Sequence, residues 1–256
     1  MNNYHTIGMG TYKLQDKKCT DIIKNGLELG YRLIDTAQLY KNHDPIKNGL
    51  ALSNVSRDDI FLTSKIHNKN IIKKDIGKAI CDIKSELNVD YMNMILLHNP
   101  VKNYVEGWKE LIYCKNHFDV LNIGVSNFDI EHLDNIKNSC GFYPSFNQIE
   151  FNVFNQRTEL VNFMNENNII IQSHSGLYRG LALNNNNDLN NISIECNISV
   201  PNIMHTFILQ NNIGIIPMTT NYEHLYNNLN KLDNLPINIL NKIYNLNNDT
   251  SLFKKY

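Results

Sequence analysis

The chain has 256 residues, 42% of them hydrophobic and 19% charged, and a formal net charge of −1 at pH 7. That supplies apolar material for one large core and leaves no basic field to attract nucleic acid or an acidic membrane surface. Cys19, Cys81, Cys114, Cys140 and Cys196 are scattered without a close pair, which argues against a disulfide scaffold or a cysteine metal site and for reduced thiols in a cytoplasmic protein.

The first residues, Met1–Thr6, lack the basic stretch and apolar run of a signal peptide, and no apolar run reaches the roughly 20 residues of a membrane helix, so no membrane partner is expected. From there a short apolar run alternates with an amphipathic stretch. Candidate strand His5–Gly10 precedes helix Cys19–Leu29, Arg32–Asp35 precedes Pro45–Leu52, and Ile60–Lys65 precedes Lys73–Leu87. Met92–His98 is followed by Val105–Asn116, Leu121–Val125 by Ile130–Asn138, and Ser145–Ile149 by Gln156–Glu166. Ile169–Ser173 leads, past the run Asn184–Asn187, to helix Val200–Gln210, and Gly214–Pro217 leads to Tyr222–Leu229. The segment 158–164 illustrates the periodicity: Thr158, Leu160, Val161 and Met164 face one way, Glu159 and Asn162 the other. The chain is rich in asparagine throughout, and the run at Asn184–Asn187 reads as a surface loop.

Eight strand–helix units predict parallel strands with crossover helices, closed as a (β/α)8 TIM barrel in a single domain over residues 1–256. The competing architecture, an open doubly wound dinucleotide-binding sheet, requires a glycine fingerprint after its first strand. Gly8-Met9-Gly10 is followed by Thr11-Tyr12-Lys13 with no third glycine, which counts against it.

In such a barrel the catalytic groups project from the C-terminal strand ends. Those ends carry Asp35, Lys65, His98, Ser126-Asn127, Gln148, Ser173-His174 and Thr219 in turn. One polar residue after an apolar run is ordinary; a succession of them at one mouth points to a shared site. Taken singly, Asp35 reads as a helix cap, Tyr40 as a core aromatic, Lys65 as a solvated charge and His98 as a buried, satisfied histidine. Their convergence favours chemistry. No histidine pair has helical metal-ligand spacing and Gly-x-Ser-x-Gly is absent, so neither a metal nor a serine nucleophile is expected.

Five segments carry a family resemblance. They are Gly30-Tyr31-Arg32-Leu33-Ile34-Asp35-Thr36-Ala37-Gln38-Leu39-Tyr40-Lys41-Asn42, Phe61-Leu62-Thr63-Ser64-Lys65, Leu96-Leu97-His98-Asn99-Pro100, Ile123-Gly124-Val125-Ser126-Asn127-Phe128 and Asn147-Gln148-Ile149-Glu150. In order and spacing the chain resembles the aldo-keto reductase family from about Gly8 to Leu246. The resemblance implies a nicotinamide-dependent oxidoreductase that reduces an aldehyde or ketone, with Asp35, Tyr40, Lys65 and His98 as the catalytic set. It implies cofactor contacts at Ser126, Asn127, Gln148, His174, Ser175, Leu177, Thr219, His224 and Asn228, and a substrate pocket at Tyr12, His67 and Asn99. The chemistry is coherent in its own right. Hydride attack on a carbonyl builds an alkoxide that must be protonated; a phenol is a reluctant acid near neutrality, a neighbouring ammonium makes it a better one, and a carboxylate holds the ammonium. A histidine can orient the carbonyl oxygen.

The chain departs from the family pattern where the adenosine 2′-phosphate would bind. The usual Ile-Pro-Lys-Ser reads Ile216-Pro217-Met218-Thr219, and His224 stands where an arginine is usual. NADP(H) is the cofactor implied, with NAD(H) a serious alternative, because a fixed charge and a bidentate fork are both missing. His174 takes the place of the stacking tyrosine, and Tyr12, His67 and Asn99 take places where many relatives carry tryptophan, so a more open and polar pocket is expected. The expected partner is a small-molecule carbonyl compound, acted on by a monomer. The alternative is a catalytically weak or inactive barrel serving as a cofactor-binding or protein-interaction module.

Overall fold

The computed structural model describes residues 6–181, 186–229 and 233–253. His5, Asn184 and Asn185 lie outside the described residues. Strand β1 (Met9–Gly10) is followed by α1 (Asp16–Leu29), β2 (Leu33–Asp35) by α2 (His43–Leu52), and β3 (Phe61–Ile66) by α3 (Asn68–Lys73) and α4 (Ile76–Leu87). Then β4 (Met92–Leu97) leads to α5 (Tyr104–Lys115), β5 (Val120–Ser126) to α6 (Ile130–Cys140), and β6 (Phe146–Glu150) to α7 (Thr158–Glu166). Next, β7 (Ile170–His174) precedes α8 (Asn187–Cys196) and α9 (Val200–Gln210), and β8 (Gly214–Ile215) precedes α10 (Tyr222–Leu229) and α11 (Ile237–Tyr244). Among the described residues eight strands form one sheet, parallel and adjacent in chain order. The backbone of Ile215 donates to Thr6 (2.7 Å) and that of Gly8 donates to Ile215 (2.8 Å), so the segment entering β1 also bonds to β8.

Alternation along the strands divides the apolar residues into two separate clusters. Leu33, Phe61, Met94, Leu96 and Phe146 form a small interior layer. Their neighbours Ile34, Leu62, Ile95, Leu97 and Ile149 belong to the large outer core under the helices. Period two then places Asp35, Lys65, Gln148 and His174 on the interior face, above that layer and toward the strand ends. The interior is crowded. A Cβ on Gly8 would lie 1.8 Å from Leu33 Cδ2, and one on Gly124 would lie 2.8 Å from both Leu96 Cδ2 and the Phe146 carbonyl oxygen. Glycine at these positions is what lets the large interior side chains fit.

Three expectations need correction. The helix expected over Lys73–Leu87 is two helices, because Lys74 closes α3 in the left-handed region (φ 57°) and α4 restarts beyond it. Glu110 Oε1 accepts the backbone N–H of Ile76 at 2.7 Å, satisfying the new N-terminus. The asparagine run is not loop throughout: Asn186 accepts the Leu189 N–H and caps α8, which starts at Asn187 and buries Leu189 and Ile192. Finally, α11 was not anticipated; Ile239 and Ile243, four residues apart, bury its apolar stripe. Among the described residues no helix is long and apolar enough to cross a membrane.

Candidate active site

Asp35 ends β2, Lys65 is the penultimate residue of β3, and Tyr40 sits in a 3-10 turn over Gln38–Tyr40 that follows β2 directly. The turn closes because Lys41 adopts left-handed φ (53°) and returns the chain toward α2. The Lys65 side chain is fully buried, yet its ammonium has three acceptors: Asp35 Oδ1 at 2.5 Å, the Thr36 carbonyl at 3.0 Å and the Tyr40 hydroxyl oxygen at 3.3 Å. Three donors meet three acceptors, which satisfies a charge that burial alone would penalise. The other carboxylate oxygen of Asp35 accepts from Gln148 Nε2 at 2.7 Å. Because Lys65 donates to the Tyr40 oxygen, the phenolic proton remains available to another acceptor.

Burial drives the Lys65 ammonium toward neutrality, but Asp35 and Tyr40 outweigh it and hold its pKa above the ordinary lysine value. For Tyr40 the balance differs from the sequence expectation of a lowered pKa. Burial raises it, Lys65 lowers it, Asp35 raises it again, and the net direction is upward. The phenol therefore keeps its proton at neutrality. His98, immediately after β4, presents its ring edge-on to Tyr40 with centroids 6.0 Å apart. Burial first, then the Lys65 charge, push its pKa well below the usual histidine value, so the imidazole is neutral.

The other mouth residues form a second network. Ser126 donates to the Gln148 carbonyl, and Gln148 also donates to Gln172 Oε1 at 2.5 Å. Asn127 has left-handed φ (64°) and donates to Asn99 Oδ1 at 2.9 Å and to the His98 carbonyl at 3.1 Å. Its Oδ1 lies 2.7 Å from His174 Nε2, while Ser175 Oγ lies 3.2 Å from His174 Nδ1. Burial first, then Lys65, lower the His174 pKa to about 3, so its ring is neutral. Leu177 is half-buried in the following loop.

The sequence model of the Aldo/keto reductase family matches residues 6–245. The chain belongs to that family. It is 31% identical to methylglyoxal reductase DkgB of Yersinia pestis, covering 87% of this chain and 85% of that one. It is 30% identical to glyoxal reductase of Bacillus subtilis (strain 168), covering 94% and 88%. Among solved structures it resembles MGS-M4, an aldo-keto reductase enzyme from a Medee basin deep-sea metagenome library, with TM-score 0.92 and 26% identity over 99% of this chain and 96% of that one. A variant of Gox0644 solved in complex with NADPH gives TM-score 0.90 and 29% identity over 98% and 92%.

In this aldo/keto reductase Thr219 precedes α10, His224 lies in its first turn and Asn228 is its penultimate residue. Asn221, which sequence reasoning missed, occupies donors there: its Oδ1 accepts the Glu223 N–H at 2.8 Å, and Thr219 Oγ1 accepts the Asn221 N–H at 3.0 Å. Met218 and His224 are exposed. Of the expected substrate residues, Tyr12 packs against Tyr40 with ring centroids 5.1 Å apart and is 42% exposed. His67 caps α3 by accepting the Lys69 N–H at 3.0 Å. Asn99 is buried, and its amide is engaged by Asn68 and Asn127. Gln172 was also missed; it lies two residues before His174 on the same strand face, and counting back by two would have found it.

A cavity of about 790 Å³ opens beside this site, bordered by Asn127, Glu150, Arg157, Leu160, Ser251 and Phe253. Glu150, buried at the end of β6, accepts from Ser251 Oγ (2.6 Å) and the Leu252 N–H (3.0 Å), tying down the C-terminal segment. Phe253 in that segment meets His174 edge-to-face at 5.3 Å. Arg179, after β7, lies 4.2 Å from the Phe253 ring centroid and 6.0 Å from that of Tyr12.

Proposed function

We propose that this aldo/keto reductase reduces a small aldehyde or α-dicarbonyl compound to the alcohol, with NADP(H) as hydride donor and Tyr40 as the group that protonates the carbonyl oxygen. The observation that carries the reading is the Lys65 ammonium, held 2.5 Å from Asp35 and 3.3 Å from the Tyr40 hydroxyl. The donor set suits the cofactor. The ends of β5 to β7 offer hydroxyl, amide and imidazole groups to a carboxamide and a flat ring, and Arg179 brings a cation near the mouth for an anionic dinucleotide. When bound, the dinucleotide supplies the hydride. The chain's own part is to place the carbonyl oxygen between Tyr40 and His98. Neutral His98, whose imidazole has no hydrogen-bond partner among the described residues, gives a hydrogen bond to that oxygen. As negative charge builds there, Tyr40 passes its proton across while Lys65 stabilises the phenolate left behind; solvent then reprotonates Tyr40.

The substrate class follows the relatives named as methylglyoxal and glyoxal reductases, and an exposed phenol at Tyr12 suits a small polar compound. The same reading takes the curled sheet as a closed (β/α)8 barrel and the chain as one domain, supported by the Thr6–Ile215–Gly8 backbone bonds. The second reading, a silent cofactor- or protein-binding barrel, has no observation in its favour. Following NADPH oxidation by the purified chain with methylglyoxal and with a simple aromatic aldehyde tests the proposal. Turnover of either supports it; tight NADPH binding with no turnover of a broad aldehyde panel contradicts it.

A further inference from the structure

Three residues after Tyr40, at the first position of α2, His43 is 4% exposed and bonded on both sides. Its Nδ1 lies 2.6 Å from Glu86 Oε2 near the end of α4, and its Nε2 lies 3.3 Å from Ser64 Oγ on β3. Serine, histidine and carboxylate in a row form the connectivity of a nucleophilic triad, but Ser64 is fully buried and its side chain points away from the mouth. No substrate reaches it there. Its importance is its neighbour. Ser64 faces outward on the strand whose next residue, Lys65, faces inward, so a bond to Ser64 fixes the backbone that presents the Lys65 ammonium. His43, for its part, opens the helix that follows the turn carrying Tyr40. Between them is Asn42, also fully buried, which accepts from Thr36 Oγ1 (2.9 Å) and donates to the Thr11 (2.8 Å) and Leu14 (3.0 Å) carbonyls. The Tyr40 turn is thus anchored to the loop after β1 through Asn42, and to β3 and α4 through His43.

We infer that Glu86, His43 and Ser64 form a positioning relay that sets the distance between the Tyr40 hydroxyl and the Lys65 ammonium, and so sets the acidity of Tyr40 without touching substrate or cofactor. The inference rests on the assignment of Tyr40 and Lys65 proposed above. Neutral His43 suits the arrangement: Nδ1–H donates to Glu86 and Nε2 accepts the Ser64 hydroxyl proton. Burial favours that neutral form, although Glu86 opposes it. The charged and titratable groups around Tyr40 itself are Lys65, Asp35 and Tyr12, with neutral His98 facing its ring edge-on. Of these, Lys65 is the one that lowers the phenol's pKa, so slack between the two segments removes the lowering influence and leaves burial and Asp35 to act.

The test compares His43→Ala, Ser64→Ala, Glu86→Ala and Glu86→Gln with wild type, reading kcat, KM for NADPH and the alkaline limb of the kcat–pH profile. Loss of the relay is expected to lower kcat about tenfold to a hundredfold, the scale of a small misplacement of reacting groups, with KM for NADPH unchanged. The alkaline limb should move to higher pH. Ser64→Ala removes one hydroxyl and no packing volume of consequence, so it reads the relay even where His43→Ala fails to fold. Glu86→Gln keeps an acceptor for Nδ1–H and should retain kcat and the limb, whereas Glu86→Ala should not. If Ser64→Ala and Glu86→Ala leave kcat and the limb at wild-type values and lower only the melting temperature, the relay is structural and the inference is overturned. Tyr40→Phe in the same series separates the two readings: full activity there sinks the Tyr40 assignment itself, whereas an inactive Tyr40→Phe beside unaffected relay variants sinks only the relay.

Discussion

Asp35 and Lys65 share one hydrogen bond and one purpose, so their contributions are expected to overlap. Lys65→Met removes the ammonium that lowers the Tyr40 pKa; Asp35→Asn leaves the ammonium but loosens it. Both variants act through Tyr40, so each should cost at least about a hundredfold in kcat/KM, the scale of general acid catalysis. The double variant should lose far less than the product of the two. Strictly additive losses in steady-state kinetics would show that the pair is not a unit. Cofactor choice is a residue-scale question as well. Met218 supplies no charge, and His224 lacks the bidentate fork of an arginine. Met218→Lys with His224→Arg should therefore shift preference toward NADPH by about 1.5–3 kcal/mol, the worth of a hydrogen bond to a charged group. Titrating both cofactors into wild type and the double variant measures it; an unchanged NADPH/NADH ratio would place 2′-phosphate recognition elsewhere, with Arg179 the first residue to examine.

At the scale of elements, the interior layer of Leu33, Phe61, Met94, Leu96 and Phe146 fills the space below the site, and the glycines opposite it have no slack. Gly124→Ala would put a methyl group 2.8 Å from the Phe146 carbonyl oxygen, which belongs to a backbone that cannot rotate away. The expected cost is about 1–3 kcal/mol of overpacking, read from the denaturant midpoint; a neutral result would mean that β5 and β6 can part. The strand ends were legible in the sequence because a buried parallel strand is a short apolar run and its polar terminus is conspicuous. Asp35, Lys65 and His98 were found that way, and Tyr40 from the motif that follows Asp35. The division between α3 and α4 was not legible, since a lysine closes α3 in a conformation that favours glycine. Nor was α8, whose asparagines read as loop until one of them is seen capping the helix. The relay through His43 was invisible for a different reason: its three members lie on three elements, and no spacing in sequence brings them together.

For the whole molecule, neutral histidines with lowered pKa tie stability to pH. His205 on α9 is 6% exposed, and burial lowers its pKa to about 4; His174 is lowered to about 3. Above the unfolded histidine value of about 6.5 both states leave these rings neutral and no pH dependence arises. As pH falls below that, the unfolded chain takes up protons that the folded chain refuses. Stability should then drop by up to about 1.4 kcal/mol per pH unit for each ring, levelling off for His205 near pH 4. His205→Met should flatten that slope in melting curves between pH 7.5 and pH 4.5; an identical slope would mean that other groups dominate. The central claim is that the buried Lys65–Asp35 pair serves the proton of Tyr40. Its most direct test is single-turnover reduction of methylglyoxal by wild type and Tyr40→Phe, each saturated with NADPH and each shown to bind it with equal affinity. The account predicts a chemical step at least about a hundredfold slower in Tyr40→Phe, with cofactor affinity unchanged. A Tyr40→Phe variant that turns over at the wild-type rate would contradict it.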